Sequence, residues 1–423
     1  MTDRNSIIGK VDWPLLLMYF ALVIIGLLSI YSAGMSEGHH AIYDMSHFCG
    51  KQLMWIGISV AFGFVVLLLD AKVFEAFAYW IYAIVVLLLF VVLAYGRVTK
   101  GAVSWIDFGG GVKLQPSEFA KMGTALALAC FLGRQDADLC NRKTRLPAYA
   151  IILLPAGLVL MQHDAGSAIV FTSFIFMLYR EGMPGAGAIM LLAVGAVAVF
   201  VLTLIWSKLA MCIIIGSLFA LTLTYYLLQK KKHLWRMVAV YAFFFAFVFC
   251  VDLAFYKVLD DHQRTRIEVL LKLKDDPQDA GYNLHQSQIA IGSGGFWGKG
   301  FLQGTQTKYD FVPEQHTDFI FCTIGEEGGF MGTFLVILLY VAMLVRIIIM
   351  AERQKLAFAR IYGYSIAGIL FVHIAINIGM TIGLVPVIGI PLPFLSYGGS
   401  SLLAFTIMLA IFVKQDANRL KIL

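Results

Sequence analysis

Residues Trp13 to Ala33 read WPLLLMYFALVIIGLLSIYSA, a run without a single charged side chain. As a helix it would be about 30 Å long, the thickness of a bilayer's hydrocarbon core. The run is too long for a secretory signal and no small-residue cleavage site follows it. It is therefore expected to be a retained helix, with nothing processed away. Similar runs recur to the end of the 423-residue chain, which is 60% hydrophobic and 14% charged. By length alone two soluble domains would be possible, but a water-soluble chain could not hide so much apolar surface. The expected fold class is all-α, a polytopic transmembrane helical bundle. The formal net charge of +6 is scattered between apolar runs and forms no basic face, which argues against nucleic acid as a partner. Cys49, Cys130, Cys140, Cys212, Cys250 and Cys322 show no CxxC spacing and read as small core residues.

Working outward, spans are expected near Trp13 to Ala33, Gln52 to Leu69, Phe74 to Tyr95, Ser117 to Gly133, Pro147 to Gln162 and Gly166 to Tyr179. Further spans fall near Ala188 to Trp206, Leu209 to Leu228, Leu234 to Tyr256, Phe319 to Ile349, Ile361 to Leu384 and Ser400 to Val413, about 12 in all. Short cytoplasmic loops are enriched in Lys and Arg. Alternate loops are basic here, through Lys72, Arg142 with Lys143, Arg180, Lys230 to Lys232, Arg353 and the tail at Lys414 and Arg419. This pattern puts both termini in the cytoplasm and the long polar interruption from Asp260 to Asp318 outside. Arg97, Lys100 and Lys113 in the segment Gly96 to Pro116 are then external cations, and an anionic substrate would explain them. No internal repeat appears, so the chain is read as one domain, 1–423, with an external loop at about 257–318.

The polar interruption carries DDP at Asp275 to Pro277, AGYNLHQSQIAIGSGG from Ala280, and GKGFLQGTQTKYDFVPEQHTDFIF from Gly298, followed by GEE ending at Glu327. With QPSEFAK at Gln115 to Lys121 and PLPFLSYGGSS at Pro391 to Ser401, these blocks resemble the SEDS family (shape, elongation, division and sporulation), nearer its RodA than its FtsW branch. The resemblance spans most of the chain. It implies a membrane glycosyltransferase that polymerises peptidoglycan from lipid II. It also implies a core of about ten spans, so the crossings at about 209–256 read as an added transmembrane hairpin.

The resemblance makes Asp276, held beside Pro277 and matched to the family's essential aspartate, the expected catalytic base; on residues alone it is one of many loop carboxylates, and Asp275 is its confounder. The implied reaction moves a glycan chain from an undecaprenyl diphosphate carrier to the 4-hydroxyl of an incoming sugar, with inversion. Diphosphate leaves readily, so one base and cations to hold it suffice, unlike the carboxylate pair of glycoside hydrolysis. Arg97, Lys113, Arg264, Arg266, Lys274, Lys299 and Lys308 are the candidate cations, with lipid-headgroup contact as the alternative. Lys299 in GGFWGKG lacks the following Ser or Thr and a preceding strand, so a nucleotide loop is rejected. The cofactor is left unknown: a divalent cation bridging carboxylate and diphosphate would suit the chemistry, yet no metal ligand set is legible.

Polar groups beside apolar spans are functional suspects. Glu118 and Lys121 share a helical face and are either a structural pair or substrate contacts. Trp105 lines the lipid path or anchors at the interface; the family commonly has a basic residue before it, where this chain has Ser104. Asp164, in MQHDAGSA at an external helix end, reads as packing or helix capping, with a functional role as the alternative. His316, Thr317 and Asp318 open a helix, where Thr and Asp can cap, or bind substrate. Gln286, Ser287 and Glu327 join the candidate substrate-binding set, Glu327 on resemblance alone. Ser396 in SYGGSS is either a substrate contact or part of close helix packing.

The expected partner is a class B penicillin-binding protein supplying transpeptidation, and the expected location is the bacterial cytoplasmic membrane. A lipid II flippase, an FtsW-type division polymerase and a non-catalytic scaffold are the alternatives. A transporter should place ionisable groups near the midplane on broken, repeat-related helices, whereas here they crowd at one face.

Overall fold

The computed structural model describes residues 11–34, 42–45, 47–99, 102–107, 113–205, 208–228, 234–253, 255, 257, 259, 261–271, 273, 280–309 and 311–419. Two compact units are formed, one from Met1–Pro184 with Asn283–Leu423 and one from Gly185–Tyr282.

The larger unit opens with α1 (Trp13–Ala33), whose first turn is closed by Asp12 Oδ1 accepting from the Leu15 amide at 3.2 Å, with proline in its first turn where no N–H is needed. Next come α2 (Phe48–Leu68), the short α3 (Ala71–Ala76) and α4 (Ala78–Tyr95). A small antiparallel sheet follows, β1 (Arg97–Thr99), β2 (Ala102–Asp107) and β3 (Lys113–Leu114) in that order. The unit continues with α5 (Pro116–Leu132), α6 (Arg142–Met161), and α7 (Ala165–Val170), which runs through a 3₁₀ turn into α8 (Phe174–Arg180).

The smaller unit holds α9 (Ala186–Ile205), α10 (Lys208–Leu228), α11 (Leu234–Leu253) and α12 (Asp261–Leu270). Met211, Ile215 and Val248 form its core between α10 and α11. The chain then re-enters the larger unit through α13 (Ala280–Ser293), α14 (Ile320–Glu352), α15 (Ala357–Ile382) and α16 (Gly399–Ala417).

Every expected span has its helix. Eight are long and apolar enough to cross a membrane, three apolar stretches (Ala165–Arg180, Ala210–Thr224 and Met237–Val251) are shorter, and α5 carries Glu118 and Lys121 in its first two turns. The protein is a multi-pass helical membrane protein. Burial orders the helices: nearly all of α16 and most of α15 are inside, whereas α2 and α4 turn apolar side chains such as Phe64 and Leu87 outward, as lipid contact requires. Where helices meet closely, small residues permit it: a Cβ at Gly26 of α1 would collide with the Leu395 backbone.

Three sequence expectations are refined. The segment from Gly96 to Pro116, read as a loop, contains the sheet, because alternating side chains in VSWI give Ser104 a buried face and leave Trp105 half exposed. The polar interruption is not one loop but two helices, α12 and α13, followed by glycine-rich turns. Of the six cysteines only Cys49 and Cys322 are buried; Cys140 and Cys250 are exposed, because Cys140 sits in a turn between helices and Cys250 on an outward helix face.

The 33-residue α14 is broken at Gly329 (φ 60°, ψ −156°), a backbone shape that side chains rarely adopt. The turn after α13 docks into the break: the amides of Lys299 and Gly300 donate to the Glu326 and Glu327 carbonyls at 3.0 Å each, and those of Phe330 and Met331 donate to Gly295 and Phe296 at 2.9 and 3.1 Å. These bonds replace helical ones that the break removes. Beyond it, residues 330–352 supply about 35 Å of helix, the length of a full crossing.

Candidate functional site

The two ends of the larger unit differ in charge. At one end, the start of α1 meets the ends of α14 and α16: Arg346 and Arg353 both bind Asp12, at 2.7 and 2.9 Å, and Arg353, Arg419 and Gln354 converge on Asp416. Burial alone would raise the Asp12 carboxyl, but bonds from Arg346 and Arg353 outweigh it and hold the group below its ordinary value. Two further pairs lie there, Arg180 with Glu352 at 2.8 Å and Arg360 with Glu181 at 2.9 Å.

At the opposite end the QPSEFAK, PEQHTDF and SYGGSS motifs contribute to a polar strip. Gln115, before α5, donates to Asp164 Oδ2 at 3.0 Å, while Asp164 Oδ1 caps α7 through the Ser167 amide at 3.0 Å, the capping role expected of it. Gly166 lies against Ile388 and Ile390, and a Cβ at Gly389 (φ 76°) would sit 3.4 Å from Asp318 Oδ2. At Thr317, one residue before Asp318, the carbonyl accepts from Ser396 Oγ at 2.6 Å, and Ser396 Oγ accepts from the Leu392 amide at 2.8 Å. The His316 carbonyl accepts from the Tyr397 amide at 2.9 Å, and its ring stacks on Phe48 with centroids 4.0 Å apart. Burial raises the Tyr397 phenol, which therefore stays protonated. Asp164, Asp318, His316 and Tyr397 thus lie along one continuous surface.

The N-cap residue of α14, Phe319, makes no side-chain capping bond; the Thr317 hydroxyl bonds within its own turn to Glu314, and Asp318 Oδ2 lies beside Gly389.

Glu326 and Glu327 are divided by the turn docked at Gly329. Glu326 is fully buried and accepts from the Lys299 ammonium at 2.6 Å, from the amides of Thr305, Gln306 and Thr307 at 2.7, 2.9 and 2.9 Å, and from both threonine hydroxyls at 3.1 and 2.9 Å. Glu327 is half-buried, binds the Ser32 hydroxyl of α1 and accepts from the Leu302 amide at 3.0 Å. Sequence reasoning singled out Glu327 and missed Glu326 as the organiser of residues 299–307; the signal was the pair of threonines in TQT with Lys299 upstream. Lys299 spends much of its charge on Glu326 and also donates to Thr305 at 2.7 Å, so it is a weaker diphosphate clamp than its position suggested.

Glu118 and Lys121 do form the expected pair, at 2.7 Å, with no exposed surface. Lys121 also lies 2.9 Å from His373 Nε2 and 5.7 Å from the Phe405 ring centroid. Of the two readings the geometry supports the structural one: the pair clasps α5 to α15 and α16 in the interior. Ser287 is likewise buried, donating to the Thr381 carbonyl at 3.0 Å, while Gln286 beside it is half-buried.

Trp105, with Val91, Val92, Tyr95 and Asp107, lines a small cleft where α4 meets β2, and Lys113 is exposed on β3. Ser104 faces inward, so the position before Trp105 is a packing position in this chain. Arg264 belongs to the smaller unit, where it donates to the Phe255 carbonyl at 3.2 Å and lies 3.4 Å from Asp261. Asp276, Asp275 and Lys274 lie outside the described residues. No three His, Cys, Asp or Glu side chains form a metal-holding group among the described residues.

Fold and strip together define a helical membrane protein with a built polar surface at one end and an arginine-rich surface at the other. The chain belongs to the FtsW/RodA/SpoVE family, described as "Cell cycle protein", whose profile matches residues 13–215 and 189–420. It is 33% identical over 411 residues to the peptidoglycan glycosyltransferase MrdB of Escherichia coli strain K12, covering 96% of this chain and 94% of that one. It is 33% identical over 441 residues to the peptidoglycan glycosyltransferase RodA of Treponema pallidum, covering 98% and 99%. Among solved structures, one described as showing the coordination of polymerization and crosslinking by a peptidoglycan synthase complex matches with a TM-score of 0.69 at 26% identity, covering 97% of this chain and 98% of that one. The rod shape determining protein RodA of Thermus thermophilus shares the fold, with a TM-score of 0.60 at 24% identity and 97% of each chain covered.

Proposed function

We propose that this chain is a peptidoglycan glycosyltransferase that polymerises lipid II into glycan strands for elongation and rod shape, in the bacterial cytoplasmic membrane. The observation that carries the reading is the near full-length likeness to relatives bearing that enzyme name, in a chain whose QPSEFAK, PEQHTDF and SYGGSS motifs meet at one end of the larger unit. The arginine-rich end, with Arg180, Arg346, Arg353 and Arg360, suits the cytoplasm under the positive-inside rule, which would turn the strip outward, where lipid-linked sugars are joined. The DP context of Asp276 makes it the general base: it takes the proton of the acceptor 4-hydroxyl as that oxygen bonds to the donor's anomeric carbon and the carrier diphosphate departs, inverting the linkage. Within the larger unit, Lys113 is the cation we assign to the diphosphate, with His316, Asp318 and Trp105 orienting sugar and lipid; Arg264 and Lys274 are further cations assigned on sequence alone.

A class B penicillin-binding protein is the proposed partner, in keeping with the synthase complex that shares this fold. The crossings at about 209–256 are proposed as an addition to the family core. A flippase gains little from the break in α14, because the Glu326 carboxylate beside it is saturated by loop donors and not open to a transported ion.

The test is Asp276→Asn in purified protein given labelled lipid II. Asparagine keeps the shape but cannot take the proton, so polymer should fall by about 10² to 10⁴ with lipid II binding kept, while Asp275→Asn is much milder. Near-normal polymer from Asp276→Asn would sink the single-base mechanism.

A further inference from the structure

Three buried polar residues of α15 recur at a spacing of four: His373, Asn377 and Thr381, each with no exposed surface. That spacing places them on one helix face. Each bonds to a different part of the larger unit. His373 Nδ1 lies 3.2 Å from the Pro391 carbonyl, which can only accept; Nδ1 therefore carries the proton, and Nε2 accepts from the Lys121 ammonium 2.9 Å away. Thr381 offers its carbonyl to Ser287 of α13. Asn377 stands between them and spends both amide hydrogens, one on the Asp318 carbonyl at 2.9 Å and one on the Ile390 carbonyl at 2.8 Å.

Among the described residues nothing donates to the buried Asn377 Oδ1. An unmade bond of this kind costs about 1 to 3 kcal/mol, yet turning the amide over would aim its oxygen at two carbonyls. The side chain is oriented for those carbonyls. Residues 388–390 run beside the Asp318 carboxylate, with Gly389 in a left-handed conformation next to Oδ2. One amide group therefore holds both Asp318's own backbone and the segment that backs its carboxylate.

We propose that Asn377 is a positioning residue for Asp318, fixing that carboxylate in the polar strip, and that His373 secures the same segment one turn away through Pro391. The proposal rests on the glycosyltransferase reading for its kinetic consequence but not for its geometry. Asn377→Leu keeps the volume and removes both donors. Its kcat for lipid II polymerisation should fall about 10- to 100-fold, the usual cost of a misplacement near 1 Å, with KM and monodispersity in detergent unchanged. In an Asp318→Asn background the same change should add little further loss, because Asn377 acts through Asp318.

Full additivity of the two losses, or a loss that tracks the folded fraction, would overturn the proposal. Hydrogen exchange of residues 388–392, measured on wild type and Asn377→Leu, reads the clamp without activity: exchange should rise about tenfold, and an unchanged rate also overturns it. Wild-type protein that makes no polymer while the exchange result holds would count against the glycosyltransferase reading and leave the clamp standing.

Discussion

Glu326→Gln tests whether one buried carboxylate holds residues 299–307 in place. The carboxylate offers about four lone-pair sites to six donors, counted from Lys299, Thr305, Gln306 and Thr307. Glutamine has the same shape but only one acceptor oxygen. With that oxygen in the Oε1 place, the new NH₂ faces the Thr307 amide and hydroxyl, which donate to Oε2 at 2.9 Å each. The hydroxyl can rotate away; the amide cannot. An orphaned buried amide costs about 1 to 3 kcal/mol, and Lys299 loses its charged partner. That second loss is discounted because the Lys299 side chain is 26% exposed and can be rehydrated. The local destabilisation is about 2 to 4 kcal/mol, or roughly 30- to 1,000-fold in the opening equilibrium. Hydrogen exchange read by mass spectrometry on residues 303–309 should show that acceleration, while the helical bulk of α15 and α16 exchanges as before. Exchange within about threefold of wild type would refute the assignment of Glu326 as the organiser of this segment.

Other consequences are as direct. Because bonds from Arg346 and Arg353 hold the Asp12 carboxyl below its ordinary 3.8, its contribution to stability is fully present above that value and is lost as pH falls through the lower folded value; thermal stability in detergent should therefore show an Asp12-dependent loss only in acid below about pH 4, absent in Asp12→Asn, and a loss beginning near pH 6 would contradict this. Gly298→Ala should cripple folding, since Gly298 has φ 80° and a Cβ would strike the Glu327 carbonyl, whereas Gly292→Ala on open helix surface should be neutral or stabilising by about 0.5 to 1 kcal/mol, both read as monodisperse yield. Sidedness is checked by thiol labelling in intact cells, where a membrane-impermeant probe should reach Ser293→Cys and not Gln229→Cys; the reverse pattern would turn the topology over.

Much of this protein was legible along the chain because the bilayer imposes a one-dimensional rule: a crossing needs about 20 apolar residues, and each such run proved to be a helix. The motif blocks likewise marked the polar strip, since QPSEFAK, PEQHTDF and SYGGSS all contribute to one end. Side-chain partners were another matter. GEE gives no sign that Glu326 is saturated while Glu327 reaches Ser32 of α1, far away in sequence. Nor does HIAIN announce that His373 and Asn377 hold Pro391, Ile390 and Asp318, because a polar residue in an apolar helix looks the same whether it binds substrate or backbone. The break at Gly329 was hidden within an apolar run, where a glycine pair alone does not tell packing from a kink. Spacing decides which residues share a helix face; only the assembled bundle, by bringing distant donors and acceptors within 3 Å in a medium without water, decides what each buried polar group is for.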